Sequence, residues 1–410
     1  MTVNLEAIHL NHDPSSKTTG AFSIRRNERI PIRRPEWLRH ISVRPEDAPA
    51  AYAYELAKNI GVTIEAAFSC TRPPIPKIRV RALDQHLHPQ KDSLGSRLLQ
   101  ILSPSAREGV PSNVLGNVAE GDVIFEGGKG KATLFLENVR IRDVGVNVSD
   151  VIWRWQYSLN GKDWIDLTTS FHRIYIVVEM PTPPWQPKSE ELNNTQLPWV
   201  EVLDFACRVA SRTKSLDEAA TKITQWANGL GDQMLIKYDE PTGTFGFTFE
   251  DPATFDCSQF LLLLNGGKNL LGPAVNCDDC AAIVTTFSNI LGCRLSEAEM
   301  GSNRTFDLHR HRRIGHGGVF TSNFTRHNVG WLGECKKDDP LFDACVQLDL
   351  DDDSKEIFTV PTNIIFRYYR SRFTTQVNRC KPQGKLPVRR IGLASLREIA
   401  ESHGALVDPS

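Results

Sequence analysis

The chain has 410 residues, 40% hydrophobic and 24% charged, with 48 basic against 49 acidic side chains. That is a globular composition with material for two domains of ordinary size, and core burial should not limit its stability. The balanced charge excludes a global attraction to nucleic acid or to an anionic membrane, and no window reaches the roughly 18 apolar residues of a membrane span.

The opening "MTVNLEAIHLNHDPSSKTTG" lacks a basic start followed by an apolar stretch, so no secretory address is expected. Nine cysteines, an odd number scattered from Cys70 to Cys380, make a poor disulfide framework. Together these features predict a cytoplasmic, reducing environment. The sequons at Asn147, Asn193, Asn303 and Asn323 then read as chance occurrences.

Residues 1–60 read as an N-terminal arm and a short helix. Arg25, Arg26, Arg29, Arg33, Arg34, Arg39 and Arg44 are interrupted by Pro31, Pro35 and Pro45, which suits a strap lying on the surface better than a nucleic-acid patch. "PEDAPAAYAYELAKNIG" predicts the helix, closed by Gly61.

A β domain is expected over 61–185, where from about 73 to 180 the period changes to two. "KIRVRAL", "DVIFEG", "KATLFLENVRIR", "VIWRWQYSL" and "HRIYIVVEM" alternate apolar and polar residues, which predicts an antiparallel β-sandwich. Asn160-Gly161 suits a type I′ hairpin turn between a strand holding Trp153 and Trp155 and one starting near Trp164. The tryptophans are expected to pack the sheet rather than stack on a ligand. The five prolines of "MPTPPWQPKSEELNNTQLPW" cannot continue a sheet, so the boundary falls there.

A second domain is expected over 190–385, with a tail at 386–410. It opens with helical patterns in "EVLDFACRVASR" and "SLDEAATKITQWANGLG". In the latter Ser215 and Glu218 form a capping box, and Gly229 or Gly231 is the expected stop. A central helix and then strand-like runs near 319–332 and 341–349 complete an α+β order.

The central helix is "VNCDDCAAIVTTFSNILGC", residues 275–293. Asn276 is a good N-cap, and Asp278 and Asp279 complement the helix dipole in the first turn. At about 100° per residue, Cys280, Ile283, Val284, Phe287 and Leu291 share one face, so Cys280 reads as a small core residue. Cys277 falls at the first helical position, where free N–H groups and the dipole stabilise a thiolate and can hold an oxyanion.

A nucleophile needs a base and an orienting group. His309, His311, His316 and His327 lie downstream. "LGECKKDDP" predicts a hairpin loop centred near residue 336, which sets His327 opposite the stretch from Asp343 to Cys345. His316 would meet only Lys355 and Glu356, and "DLHRHRR", with His309 and His311, reads as an exposed basic loop.

Cys-Asp-Asp-x-Ala ahead of an apolar helix ending "LG", then a His, then an Asp sixteen residues beyond it, resembles the transglutaminase-like superfamily of papain-fold cysteine enzymes. The resemblance covers roughly 195–350. It implies Cys277 as nucleophile, His327 as general base and acid, and Asp343 as the residue orienting the imidazole. The expected chemistry is acyl transfer on a protein or peptide substrate, with no cofactor, hydrolysis being favoured over lysine crosslinking. A side-chain oxyanion donor is expected upstream, with Gln259 and Asn265 as candidates.

Four rivals compete. Zinc on Cys277-x-x-Cys280, completed by Cys257, Cys293 or a histidine, lacks a second ligand pair in the sequence, so no metal is expected. A redox dithiol lacks its βαβ setting. "LDLDDDS" lacks the Gly and distal Glu of a calcium loop. A non-catalytic binding scaffold would use the same fold with Cys277 merely buried.

Overall fold

The computed structural model describes residues 2–10, 20–26, 32, 34–54, 62–71, 76–85, 115–137, 144–187, 196–240, 243, 245–250, 253–267, 274–307, 311–315, 318–349, 358–373, 379–384 and 388–389. Nine strands come first: β1 (Val3–His9), β2 (Trp37–Leu38), β3 (Pro49–Ala53), β4 (Thr63–Cys70), β5 (Lys77–Asp84), β6 (Val118–Glu126), β7 (Lys129–Phe135), β8 (Asn147–Ser158) and β9 (Ile165–Val177). They form one sheet in the order β2-β1-β4-β7-β6-β5-β8-β9-β3. Every pairing is antiparallel except that of β3 with β9.

Alternation sets the two faces. On β5, Ile78, Val80 and Ala82 point inward, while Lys77 and Arg79 face solvent and pair with Asp122 at 2.7 Å and Glu120 at 3.0 Å. The sheet is continuous but curled: Phe68 of β4 lies 6.0 Å from Trp155 of β8, although three strands separate them in the ladder. Where the sequence suggests a sandwich, a single curled sheet buries its own inner face. Trp153 and Trp155 are fully buried, and their indole N–H groups donate to Gly116 O and Ser170 Oγ, both at 2.9 Å. They are packing residues with satisfied polar ends.

Three local expectations change. Residues Pro49–Ala53 are a strand rather than helix, because all five are buried against β9 and tertiary pairing overrides the alanine-rich helical preference; 55–61 lie outside the described residues. The arm contributes strands, and Arg25 is buried with its guanidinium 5.8 Å from the Trp199 ring. The β8–β9 connection is a six-residue loop, 159–164, in which only Gly161 has positive φ. Asn160 works through its side chain, accepting from Lys162 N and Asp163 N at 2.9 Å each.

Segment 178–187 packs onto the second half of the chain, where Trp185 Nε1 donates to Thr286 O and Asn289 Nδ2 donates to Pro183 O. There follow α1 (Val200–Val209), α2 (Leu216–Asp232), β10 (Lys237–Tyr238), β11 (Thr248–Glu250), β12 (Ala253–Asp256), α3 (Cys257–Leu264), β13 (Ala274–Val275) and α4 (Cys277–Asn289). Next come β14 (Ser296–Asp307), β15 (His311–Arg313), β16 (Asn323–Trp331), β17 (Pro340–Phe342), β18 (Val346–Asp349), β19 (Phe358–Thr359), β20 (Ile364–Ile365), α5 (Phe366–Arg370), β21 (Arg379–Gly384) and β22 (Val388–Arg389). A five-stranded sheet, β20-β17-β16-β14-β21, supports α4. The fold is α+β and mostly strand. Among the described residues no helix is long and apolar enough to cross a membrane.

Ser215 caps α2 by accepting from Glu218 N, as its sequence predicts, but the helix runs through both expected stop glycines to Asp232. Gly231 is there for closeness: a β-carbon on it would sit 2.3 Å from Gly315 N and 2.6 Å from Ile314 Cγ1. Gly229 faces open space. Gly231→Ala should therefore cost about 1–3 kcal/mol in urea unfolding, whereas Gly229→Ala should add about 0.5–1 kcal/mol.

Candidate functional site

Helix α4 begins at a reciprocal cap. Asn276 Oδ1 accepts from Asp279 N at 3.0 Å, and Asp279 Oδ2 accepts from Asn276 N at 3.1 Å. Asp279 does more than complement the dipole. It is wholly buried and also accepts from Gly246 N (2.7 Å), Phe247 N (2.8 Å), Thr248 N (2.7 Å) and Thr248 Oγ1 (2.9 Å). Burial raises its pKa above the ordinary carboxylate value, and these donors oppose that shift. The carboxylate thus pins β11 to the first turn of the helix that presents Cys277. Every residue of α4 but Asp278 is buried, so its environment is core on all sides.

Strand β16 lies along this helix. A β-carbon on Gly330 would be 3.1 Å from Val284 Cγ1, so glycine there lets strand and helix approach closely. The β16–β17 register pairs Gly330 with Phe342 and Trp331 with Leu341, which centres the hairpin on residue 336. His327 then meets Asp343, just past the end of β17, with Nε2 2.7 Å from Oδ2. The ring is 0% and the carboxyl 1% exposed, and Cys277 keeps 6%.

Asp343 is held at both oxygens. Its Oδ1 accepts from Cys345 N at 2.8 Å, and its Oδ2 also accepts from Tyr369 Oη on α5. On the other side of the imidazole, Nδ1 is buried and makes no hydrogen bond of ordinary geometry, while Cys277 lies near enough to favour the protonated ring. Burial alone would favour neutral imidazole. Asp343, by charge and hydrogen bond, and then Cys277 outweigh it, and His327 is pushed up to about 10.

A clasp joins the flanking residues. Asn328 Nδ2 donates to Asp278 Oδ1, and the Arg326 guanidinium lies 3.6 Å from Asp278 Oδ2. The residue after Cys277 is thereby bonded to the residue after His327. Tyr238 stands next to the thiol on β10, which runs parallel to β13 in the register Tyr238↔Val275. Burial first, and then the Cys277 charge, keep its phenol protonated and therefore a donor.

The structure brings Cys277, His327 and Asp343 together, while of the two upstream amides Asn265 is committed within its own helix. Asn265 is exposed and its Nδ2 donates to Leu261 O at 2.9 Å on its own helix. Gln259 is buried on α3, against the Asp256 cap. Tyr238 is the donor-bearing side chain beside the sulfur, and its pairing with the strand that leads into Cys277 is tertiary information. Tyr369 likewise comes from a helix 26 residues beyond Asp343. His311 is not in an exposed loop: it is 1% exposed on β15 and stacks 5.2 Å from Phe373. His309, His316 and most of the acidic run after Asp349 lie outside the described residues.

No family model matches this sequence, and no curated protein matches it. Among solved structures, that of red sea bream transglutaminase is similar, with a TM-score of 0.39 and 10% identity over 74% of this chain and 50% of that one. This chain thus spans about half the length of that enzyme.

Asp279→Ala strands several buried donors, so it should cost at least about 3 kcal/mol by urea unfolding. The raised His327 value predicts a second outcome. The folded protein binds this proton more tightly than the unfolded chain does, so the stabilisation is complete below the ordinary 6.5 and is lost as pH rises to about 10. The stability difference between wild type and His327→Gln should shrink across that window. Asp343→Asn should lower the pH at which the ring titrates, read by NMR of the imidazole.

Proposed function

We propose that the chain is a cysteine-dependent hydrolase of amide bonds in proteins or peptides, with a transglutaminase-like catalytic unit over about 190–385. The first 185 residues form a separate β unit beside it. The observation that carries this reading is the 2.7 Å contact of His327 Nε2 with Asp343 Oδ2, on a ring whose Nδ1 is left toward a cysteine at a helix N-terminus.

Cys277 Sγ attacks the amide carbonyl as thiolate, facing the imidazolium of His327. Charge gathers on the carbonyl oxygen as the tetrahedral centre forms. The N–H groups of the first turn of α4 and the phenol of Tyr238 are its donors. His327 gives its proton to the leaving amine, the C–N bond breaks, and a thioester remains. Water, deprotonated by the now neutral ring, attacks the thioester and releases the acid. Asp343 keeps Nε2 protonated so that Nδ1 faces the sulfur, and Tyr369 and Cys345 N hold Asp343 in that orientation.

Burial supports this role. With the His–Asp pair sealed from water, its charges interact strongly, and Cys277, itself buried at 6% exposure, lies next to them.

Thiol reactivity tests the proposal. Iodoacetamide near neutral pH should label Cys277 before the other eight cysteines, and Cys277→Ala should abolish both that labelling and amide hydrolysis without lowering the melting temperature. His327→Ala should slow hydrolysis by about 10²- to 10⁴-fold. Slow and equal labelling at all nine positions would instead identify a non-catalytic scaffold.

A further inference from the structure

The site is closed. Cys277 keeps 6% exposure, His327 0% and Asp343 1%. Attack on an amide needs its carbonyl carbon within about 3–3.5 Å of the sulfur, so part of the surrounding wall must move first. The first turn of α4 is pinned by Asp279, and β16 is paired with β14 along most of its length. Strand β10 is held on both sides, Asp239 N donating to Val275 O at 3.0 Å and Tyr238 N to Ile314 O at 3.2 Å.

Segment 318–322, between β15 and β16, is held more lightly. Gly318, Val319 and Thr321 face solvent, and Phe320 is its one buried residue. Among the described residues its backbone–backbone hydrogen bonds are Phe320 N to His311 O at 3.1 Å and a stretched one, Arg313 N to Gly318 O, at 3.5 Å. Glu240, two residues past Tyr238, supplies the rest of the hold. Its side chain is 3% exposed and Oε2 pairs with Arg313, while Oε1 accepts from Thr321 N, from Ser322 N and, at 3.0 Å, from Thr321 Oγ1.

Beneath this segment lies the thiol. Strands β10 and β13 are registered Tyr238↔Val275, and Asn276 continues extended (φ −119°, ψ −170°), so Tyr238, Val275 and Cys277 fall on one face. Neighbouring strands are about 4.8 Å apart, which puts the sulfur within side-chain reach of Tyr238. The Phe320 ring packs edge-on against Tyr238 at 5.0 Å and against Phe324, three residues before His327, at 5.2 Å.

We propose that residues 318–322 are a cover over the Cys277 site, latched shut by the Glu240 carboxylate, and that a peptide chain enters when the latch releases. The latch joins the two sides of the site. Glu240 follows the strand paired with the one that delivers Cys277, while Thr321 and Ser322 lead into the strand that carries His327. Release returns the carboxylate to water and withdraws Phe320 from Tyr238. Each hydrogen bond to a charged acceptor shifts such an equilibrium by about tenfold or more, so the open fraction sets how fast the thiol is reached. Control of hydrolysis rests on the proposed function, but closure over the thiol does not. Glu240 is a positioning residue and touches no substrate.

The test is alkylation of Cys277 by iodoacetamide in the full chain, followed by peptide mass spectrometry across a pH series. Glu240→Gln, which keeps the shape and removes the charge, should raise the rate about 10-fold, and Glu240→Ala about 10- to 100-fold. The midpoint of rate against pH should keep its wild-type position, and hydrogen exchange at the Thr321 and Ser322 amides should quicken by a similar factor. Phe320→Ala, which leaves the carboxylate in place, should also speed labelling. The glutamine variant carries the test where the alanine variants do not fold.

An unchanged Cys277 rate with faster exchange at 321 and 322 would overturn the cover, since the segment then opens without uncovering the sulfur. So would rates that rise equally at the buried Cys207 and Cys257, which marks general loosening, or a moved pH midpoint, which makes Glu240 an electrostatic neighbour of the thiol. Alkylation needs no substrate. Faster labelling with no amide hydrolysis therefore sinks only the proposed hydrolase, and hydrolysis with labelling unmoved in every variant sinks only the cover.

Discussion

A single buried carboxylate organises this half of the protein. Asp279 accepts hydrogen bonds from three consecutive backbone N–H groups, a threonine hydroxyl and the N-cap amide. An unpaired charge in that position would be prohibitively costly, and so would those donors without it. The arrangement therefore persists only when β11 and the start of α4 are in place together. It sets where the helix begins, and the helix start sets where the Cys277 sulfur stands.

The imidazole is located from the opposite direction. The β16–β17 hairpin brings Asp343 to His327, Tyr369 and Cys345 N hold the carboxylate, and Gly330 lets the sheet press against α4. The Asp278–Asn328 contact then joins the two halves beside the sulfur. The contacts of Asp343 with His327, Tyr369 and Cys345 N lie inside the core, where the local dielectric is low and charges are strongly felt. The same burial keeps the Tyr238 phenol and the Cys345 thiol protonated and, with Asp343 opposing it, leaves His327 as imidazolium.

Much of this was legible in local pattern. The Asn276 cap, the Cys277 helix and the hairpin about residue 336 depend on neighbours in sequence, and all three occur where the residues suggest. The readings that fail depend on neighbours in space. Pro49–Ala53 is helix-like by composition but is paired with β9, Gly231 looks like a helix stop but is a point of contact with Gly315, and His311 sits in a basic run but is buried against Phe373. Asn265 has a suitable side chain, but it is exposed and donates to Leu261 O on its own helix.

By itself the sequence determined a mostly strand-built α+β chain, a cysteine at a helix mouth, and a histidine and aspartate brought side by side by one hairpin. These follow from periodicity, capping and hairpin register, which act over a few residues. Only the tertiary structure decided that Tyr238 and Tyr369 join them and that Asp279 anchors the helix. Those contacts join residues tens of positions apart, and which long-range pair forms depends on how every element between them packs.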